Sequence, residues 1–309
     1  MSQPVLAIEG LRKTYKGHLS LTSRQVIRGL DLAIEPAEVF GLLGQNGSGK
    51  TTTIKMILSL IFPDRGAIRI FGVDHRDVAI RARIGFLPEN PYFYEYLTGR
   101  EFLDFYGQLF GYGRAERRER SARVLAAVRM EERADLPLRK YSKGMLQRIG
   151  MAQALINDPD LVILDEPMSG LDPIGRREFR DLILDLKARG KTVFFSSHIL
   201  SDAEAICDRV GILKDGRVAR SGKLAELLSP TVRSWEVTFA GPPFEALRLD
   251  GARAELISVR GPESLVRVER EPDLDALLDS LRAASGRLIS VAARRETLED
   301  IYLREVAGR

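Results

Sequence analysis

One cysteine, Cys207, is all the thiol in 309 residues. No internal disulfide can form, and a reducing, cytosolic setting is the natural expectation. Long apolar runs are missing too. No stretch approaches the roughly 18 consecutive apolar residues of a membrane span, and the longest, such as residues 161–164, have strand length. Residues 1–9 lack the charged start and apolar core of a signal peptide. Charge of one sign is scarce: 47 basic against 43 acidic residues leave a net charge of +4. That is a mixed surface, and it indicates neither nucleic acid nor anionic lipid as a partner. There are no internal repeats. If this chain works at a membrane, something else holds it there.

What is present is a globular composition, 44% hydrophobic and 29% charged, long enough for about two domains. Residues 5–40 read as short strands, including 5–8 and the alternating stretch 26–34. The apolar strand 38–43 runs straight into Gly44-Gln45-Asn46-Gly47-Ser48-Gly49-Lys50-Thr51. Helical periodicity follows over 52–60 and is expected to stop at Pro63 and Gly66. Strands are expected at 67–71 and 84–87. From about 99 to 153 the chain turns helical and charged, with the run 114–123 as a solvated helix face inside an inserted helical segment (about 90–155). Strands at 161–164 and 192–196 flank an amphipathic helix at 176–189, and Lys214-Asp215-Gly216 marks a hairpin turn. The last lysine is Lys223, and a composition change after Ser229-Pro230 suggests domains 1–229 and 230–309. The second reads as strands at 233–240, 253–260, 264–270 and 287–293 and helices at 273–284 and 297–306. With a short helix at 243–249, that is the βαββαβ order of a ferredoxin-like sandwich.

Gly44 and Gly49 are four residues apart and precede Lys-Thr. This spacing lets the backbone curl so that consecutive N–H groups of Asn46, Gly47, Ser48 and Gly49 point at one phosphate, with the next helix adding its positive end at Thr51 and Thr52. Lys50 supplies a charge for the β- and γ-phosphates, and Thr51 a hydroxyl for Mg²⁺. The pattern points to ATP and Mg²⁺. A second element agrees with it. Residues 161–164 end in Asp165 and Glu166; Asp165 can hold the cation through water, and Glu166 can polarise a water for attack on the γ-phosphate.

Over residues 1 to about 225 the chain resembles the nucleotide-binding subunit of an ABC transporter. Tyr141-Ser142-Lys143-Gly144-Met145 stands where that family has its Leu-Ser-Gly-Gly-Gln signature. Ser169-Gly170-Leu171-Asp172 matches the loop after the catalytic glutamate, His198 the switch histidine, and Tyr15 the aromatic that stacks on adenine. The resemblance implies a P-loop α/β core with an antiparallel β subdomain and a helical subdomain. It also implies a head-to-tail homodimer enclosing two ATP molecules, with Ser142 and Gly144 reaching the partner's γ-phosphate, Asp172 connecting the sites, Glu166 as base and His198 on the γ-phosphate. Such a subunit would sit at the cytoplasmic face of the membrane, peripheral through a permease in a separate chain.

Three departures stand out. Glu89, in Phe86-Leu87-Pro88-Glu89-Asn90-Pro91, occupies the usual glutamine position, where it is a further candidate for catalysis and Mg²⁺ binding. The signature carries Tyr141, Lys143 and Met145. Both features resemble the branch serving ABC-2-type export permeases. Residues 16–25 read as an unusually long loop after Tyr15. The aromatic group Tyr92, Phe93, Tyr94 and Tyr96 follows the Glu89 junction; it either lines a groove for the permease's coupling helix or packs the helical subdomain. A mechanical or regulatory ATPase acting on a membrane partner without moving solute fits the same motifs. Ribosome- or DNA-acting relatives fit poorly, since there is one cassette and only about 90 residues between Lys50 and Tyr141, without sustained heptads.

Overall fold

The structure, a computed structural model, describes residues 3–16, 23–228, 231–249 and 251–307. It divides into two compact units, Met1–Leu224 with Glu305–Arg309, and Ala225–Arg304. In chain order the elements are β1 (Leu6–Lys16), β2 (Ser23–Ile34), β3 (Val39–Leu43), α1 (Lys50–Ile57), β4 (Arg65–Ile70), β5 (Val73–Asp74), β6 (Ile84–Leu87), α2 (Gly99–Leu109), α3 (Arg114–Ala127), α4 (Lys143–Leu155) and β7 (Leu161–Leu164). They continue with α5 (Pro173–Ala188), β8 (Thr192–Ser197), α6 (Leu200–Ile206), β9 (Arg209–Lys214), β10 (Arg217–Lys223), α7 (Leu224–Leu227), β11 (Val232–Ala240), β12 (Ala254–Arg260), β13 (Glu263–Val268), α8 (Glu271–Ala283), β14 (Arg287–Arg295) and α9 (Leu298–Ala307).

The first unit is built on a six-stranded sheet, order β10-β9-β3-β8-β7-β6, parallel except for the β9–β10 hairpin at one edge. Strands β3, β7 and β8 are buried at every position. Parallel strands covered on both faces read as continuous apolar runs, which is why 39–43 and 161–164 stand out in the sequence. A second sheet, order β2-β1-β4-β5, is antiparallel. Leu6, Ile8, Leu11, Ile27, Leu30 and Ile34 from it share one core with Phe40, Leu42, Ile54 and Ile163. Cys207 packs under Gly41, where a Cβ would stand 2.7 Å from its sulfur. Burial pushes its thiol pKa up, so it is no nucleophile.

Two local expectations are corrected here. Residues 16 and 23–25 are strand rather than loop: β1 and β2 form a hairpin with Tyr15 paired to Arg24, and residues 17–22 lie outside the described residues. Helix α1 ends at Ile57, before Pro63 and Gly66 act, because Ser59 takes a left-handed turn (φ 57°). The N–H of Leu60 then bonds back to the Lys55 carbonyl at 2.9 Å, a tight closure of the kind that ends helices.

The inserted helices are fixed locally. Thr98 and Glu101 form a reciprocal capping box at the start of α2. The charged run on α3 makes ion pairs Arg117–Asp104 and Arg120–Glu116. The subdomain is joined to the core sheet where β6 meets the end of α4. There a Cβ on Gly85 would stand 2.1 Å from the Ala154 carbonyl oxygen, a backbone atom that cannot rotate away. Gly85→Ala is therefore expected to cost about 3 kcal/mol, the upper range for overpacking. Denaturant unfolding of the full chain checks this; a loss under about 0.5 kcal/mol, the level of a neutral surface change, contradicts it.

The second unit is an antiparallel sheet, order β12-β13-β11-β14, with α8 between β13 and β14 in the chain. Val237, Phe239, Val266 and Val268 form its core with Leu274, Leu277 and Leu281 of α8. This is the ferredoxin-like strand order, but the first crossover holds only one 3-10 turn, Phe244–Ala246, where a short helix is expected. The few residues between Pro242-Pro243 and Gly251 cannot offset the cost of nucleating an α-helix.

Candidate active site

Strand β3 delivers the chain to the loop 44–49, and the loop's shape depends on its glycines. Gly47 and Gly49 have φ of 81° and 116°, a region that favours glycine. At Gly44 a Cβ would meet the Leu213 carbonyl oxygen and the Ser48 hydroxyl, each at 2.6 Å. No side chain caps α1 at Gly49, so its N-terminus is left to face an anion. The Ser48 hydroxyl is buried and has no partner among the described residues, an orphaned polar atom of the kind an incoming phosphate oxygen satisfies.

Lys50 is 5% exposed and lies across the loop. Its Nζ donates to the Gly44 carbonyl at 2.7 Å and the Gln45 carbonyl at 3.3 Å, and stands 3.0 Å from Glu166 Oε1. Among the described residues Glu166 Oε1 has no directed hydrogen bond, so the contact with Lys50 is a charge pair. The other oxygen, Oε2, lies 2.8 Å from His198 Nδ1. Glu166 follows buried β7 with φ 48°, an uncommon conformation for a residue with a Cβ and one that stores strain. It turns the carboxylate toward the loop.

Asp165 points differently. Its Oδ1 accepts from Ser196 Oγ at 2.6 Å and from Thr51 Oγ1 at 3.2 Å, while Ser196 Oγ also accepts from the Glu166 N–H at 2.9 Å. Ser196 thus orients both acids from the neighbouring strand, a role its place in a buried run does not advertise. Thr51 and Asp165 are hard oxygen donors that suit Mg²⁺. Among the described residues no group of three or more His, Cys, Asp or Glu side chains could hold a metal, so a cation here needs phosphate and water oxygens as well.

Asn46, Gly47, Gly49, Lys50, Thr51, Thr52, Glu89, Glu166 and His198 line one open pocket of about 530 Å³, joined by Arg24, Val26 and Ser169. Of these, the sequence marks Ser169 only as part of the loop after Glu166, and it does not mark Arg24 or Val26 as site residues. Arg24 and Val26 become visible only through the hairpin register of β1 and β2.

The remaining candidates lie elsewhere. Tyr15 stands half-exposed on β1 beside Arg24. Ser142 caps α4, accepting from the Met145 N–H at 3.3 Å. Gly144 has the Leu171 side chain as its neighbour, and Lys143 Nζ lies against Gly170. Asp172 caps α5, accepting from the Gly175 N–H at 2.6 Å. The segments 142–144 and 170–172 therefore pack on each other and contribute nothing to the pocket that holds Lys50.

The ABC transporter family profile matches residues 27–169. An uncharacterized ABC transporter ATP-binding protein of Synechocystis sp. is 45% identical over 285 residues, which are 92% of this chain and 79% of the relative. The Nod factor export ATP-binding protein I of Ralstonia nicotianae is 35% identical over 315 residues, 100% of this chain and 95% of the relative. Among solved structures, the dimeric post-hydrolysis state of the ATP-binding cassette MJ0796 bound to ADP and Pi aligns with a TM-score of 0.65 at 28% identity, over 71% of this chain and 98% of that one.

Proposed function

This chain belongs to the ABC transporter family as an ATP-binding, ATP-hydrolysing subunit, and on that premise we propose that it powers a separate membrane permease of the ABC-2 export type. The observation that carries the reading is the convergence of Lys50, Thr51, Asp165, Glu166 and His198 on one glycine loop. Residues 44–52 cradle the phosphates of ATP. Lys50 leaves Glu166 and takes the β- and γ-phosphates, which frees the carboxylate to accept a proton from the attacking water. His198 orients that carboxylate and reaches the γ-phosphate. Thr51 and Asp165, with Glu89 at the rim, hold Mg²⁺, which supplies charge neutralisation at the phosphates. Tyr15 stacks on adenine.

Ser142 and Gly144 sit outside this pocket because they serve a second copy: two chains pair head-to-tail, each signature closing the other's site, with Asp172 at the contact between them. Closure with ATP and release after hydrolysis move the permease. Among the described residues no helix is long and apolar enough to cross a membrane, which accords with attachment through that partner at the cytoplasmic face. Its docking place is the exposed aromatic group. Phe93 packs inward on Phe102, while Tyr92, Tyr94 and Tyr96 are exposed; Tyr94 and Tyr96 line a cleft of about 1030 Å³ between α2 and α3. Residues 230–309 form an accessory domain for dimer contact or regulation. A relative named for Nod factor export supports an export role.

Light scattering on purified protein tests the closure. With ATP, Glu166→Gln protein is expected to run as a dimer, and Ser142→Glu added to it returns the monomer while ATP still binds. A species that stays monomeric with ATP, or a dimer indifferent to Ser142→Glu, contradicts the shared site.

A further inference from the structure

We propose that Arg24 is a second phosphate-binding cation of this pocket, contacting the α- and β-phosphates of the nucleotide. Arg24 lies on β2 directly opposite Tyr15 on β1. Residues paired across an antiparallel ladder present their side chains to the same face, so Arg24 shares a face with the ring assigned to adenine. Val26 sits at a register shift between β1 and β2, and it and Arg24 both line the pocket with Asn46, Gly47 and Lys50. The guanidinium leans on the phosphate loop: its Nη2 stands 3.8 Å from where a Cβ would be on Gly47. Gly47 has no side chain to keep a cation off that part of the loop.

The order of groups along ATP then assigns the contact. Adenine at Tyr15 and the γ-phosphate at Lys50 mark the two ends, and the chain between them runs past Arg24. Lys50 is committed to the far end, where it meets Glu166 at 3.0 Å. Among the described residues, no other cation lines the pocket at the near end of the triphosphate. Among the described residues no carboxylate pairs with Arg24, so its donors are available. A guanidinium offers a planar fork that matches two phosphate oxygens, where an ammonium offers only a point charge. The residue is exposed on a strand, so its replacement removes a charge without opening a core.

The proposal rests on the nucleotide reading above, and calorimetry separates the two. Wild-type protein, R24A and R24K are titrated with ATP and with ADP at low and high salt. R24A is expected to weaken both nucleotides by the same factor, about 10-fold, and to flatten the salt dependence of binding. R24K keeps the charge and recovers part of the loss. Binding by R24A within twofold of wild type for both nucleotides overturns the proposal. So does a loss confined to ATP, which moves the contact to the γ-phosphate, or an R24K protein as weak as R24A with a lowered melting temperature, which makes the role structural. If wild-type protein binds neither nucleotide, the nucleotide reading itself falls.

Discussion

Glu166→Gln is expected to slow ATP turnover by a factor of about 1,000, within the usual contribution of general-base catalysis, while ATP stays bound. The substitution keeps the size and the hydrogen bond to His198 Nδ1, now 2.8 Å from the carboxylate, and removes the basicity. It also removes a negative charge that would face the γ-phosphate once Lys50 turns away, so affinity is expected to hold or rise. In the empty protein that charge is matched by Lys50 at 3.0 Å, which means ATP must compete with Glu166 for the lysine. Phosphate release and equilibrium binding, measured on the same preparation, check both halves. A variant hydrolysing at the wild-type rate removes Glu166 from its role as base.

Lys50→Ala has the second large effect, and it acts on binding first. The ammonium is nearly buried against the loop, and in the proposed function it is the cation offered to the β- and γ-phosphates. Its loss also leaves the Glu166 carboxylate beside the incoming γ-phosphate with His198 as its remaining partner among the described residues. Lost attraction and new repulsion together are expected to weaken ATP binding by about 100-fold, the scale of a lost charge-assisted contact with an unpaired buried charge left behind. Turnover falls below detection. The repulsive share is separable: Lys50→Ala with Glu166→Gln should bind ATP more tightly than Lys50→Ala alone, because residues in direct contact are non-additive. Unchanged ATP affinity in Lys50→Ala, or a double variant no tighter than the single, contradicts this account.

The parts legible in the sequence share a physical character. Residues 44–51 are contiguous, and their chemistry is a property of the local backbone. The fully buried strands β3 and β7 advertise themselves because parallel strands covered on both faces must be apolar throughout. In the second unit, alternating burial along β11 and β13 leaves a period that can be read before any fold is known. Local turns were less legible. Ser59 has no composition that marks it as the end of α1, and Pro63, the stronger signal, lies beyond the residue that acts. The β1–β2 hairpin looked like loop over 16–25 because its pairing is cross-strand, and a polar, solvent-facing hairpin carries no strong local period. Arg24 was hidden with it.

By itself the sequence determined the glycine loop, the two acids that follow β7, the family and the succession of most strands and helices along the chain, since each is written in consecutive residues or in a period along one segment. Only the tertiary structure decided which distant groups meet. It brought Ser196 between Asp165 and Glu166, folded Lys50 back onto Glu166, set Arg24 against Gly47, and kept Ser142 and Gly144 out of that pocket. Those meetings follow from sheet order and strand register, which depend on how whole faces pack, and no window of neighbouring residues contains that information.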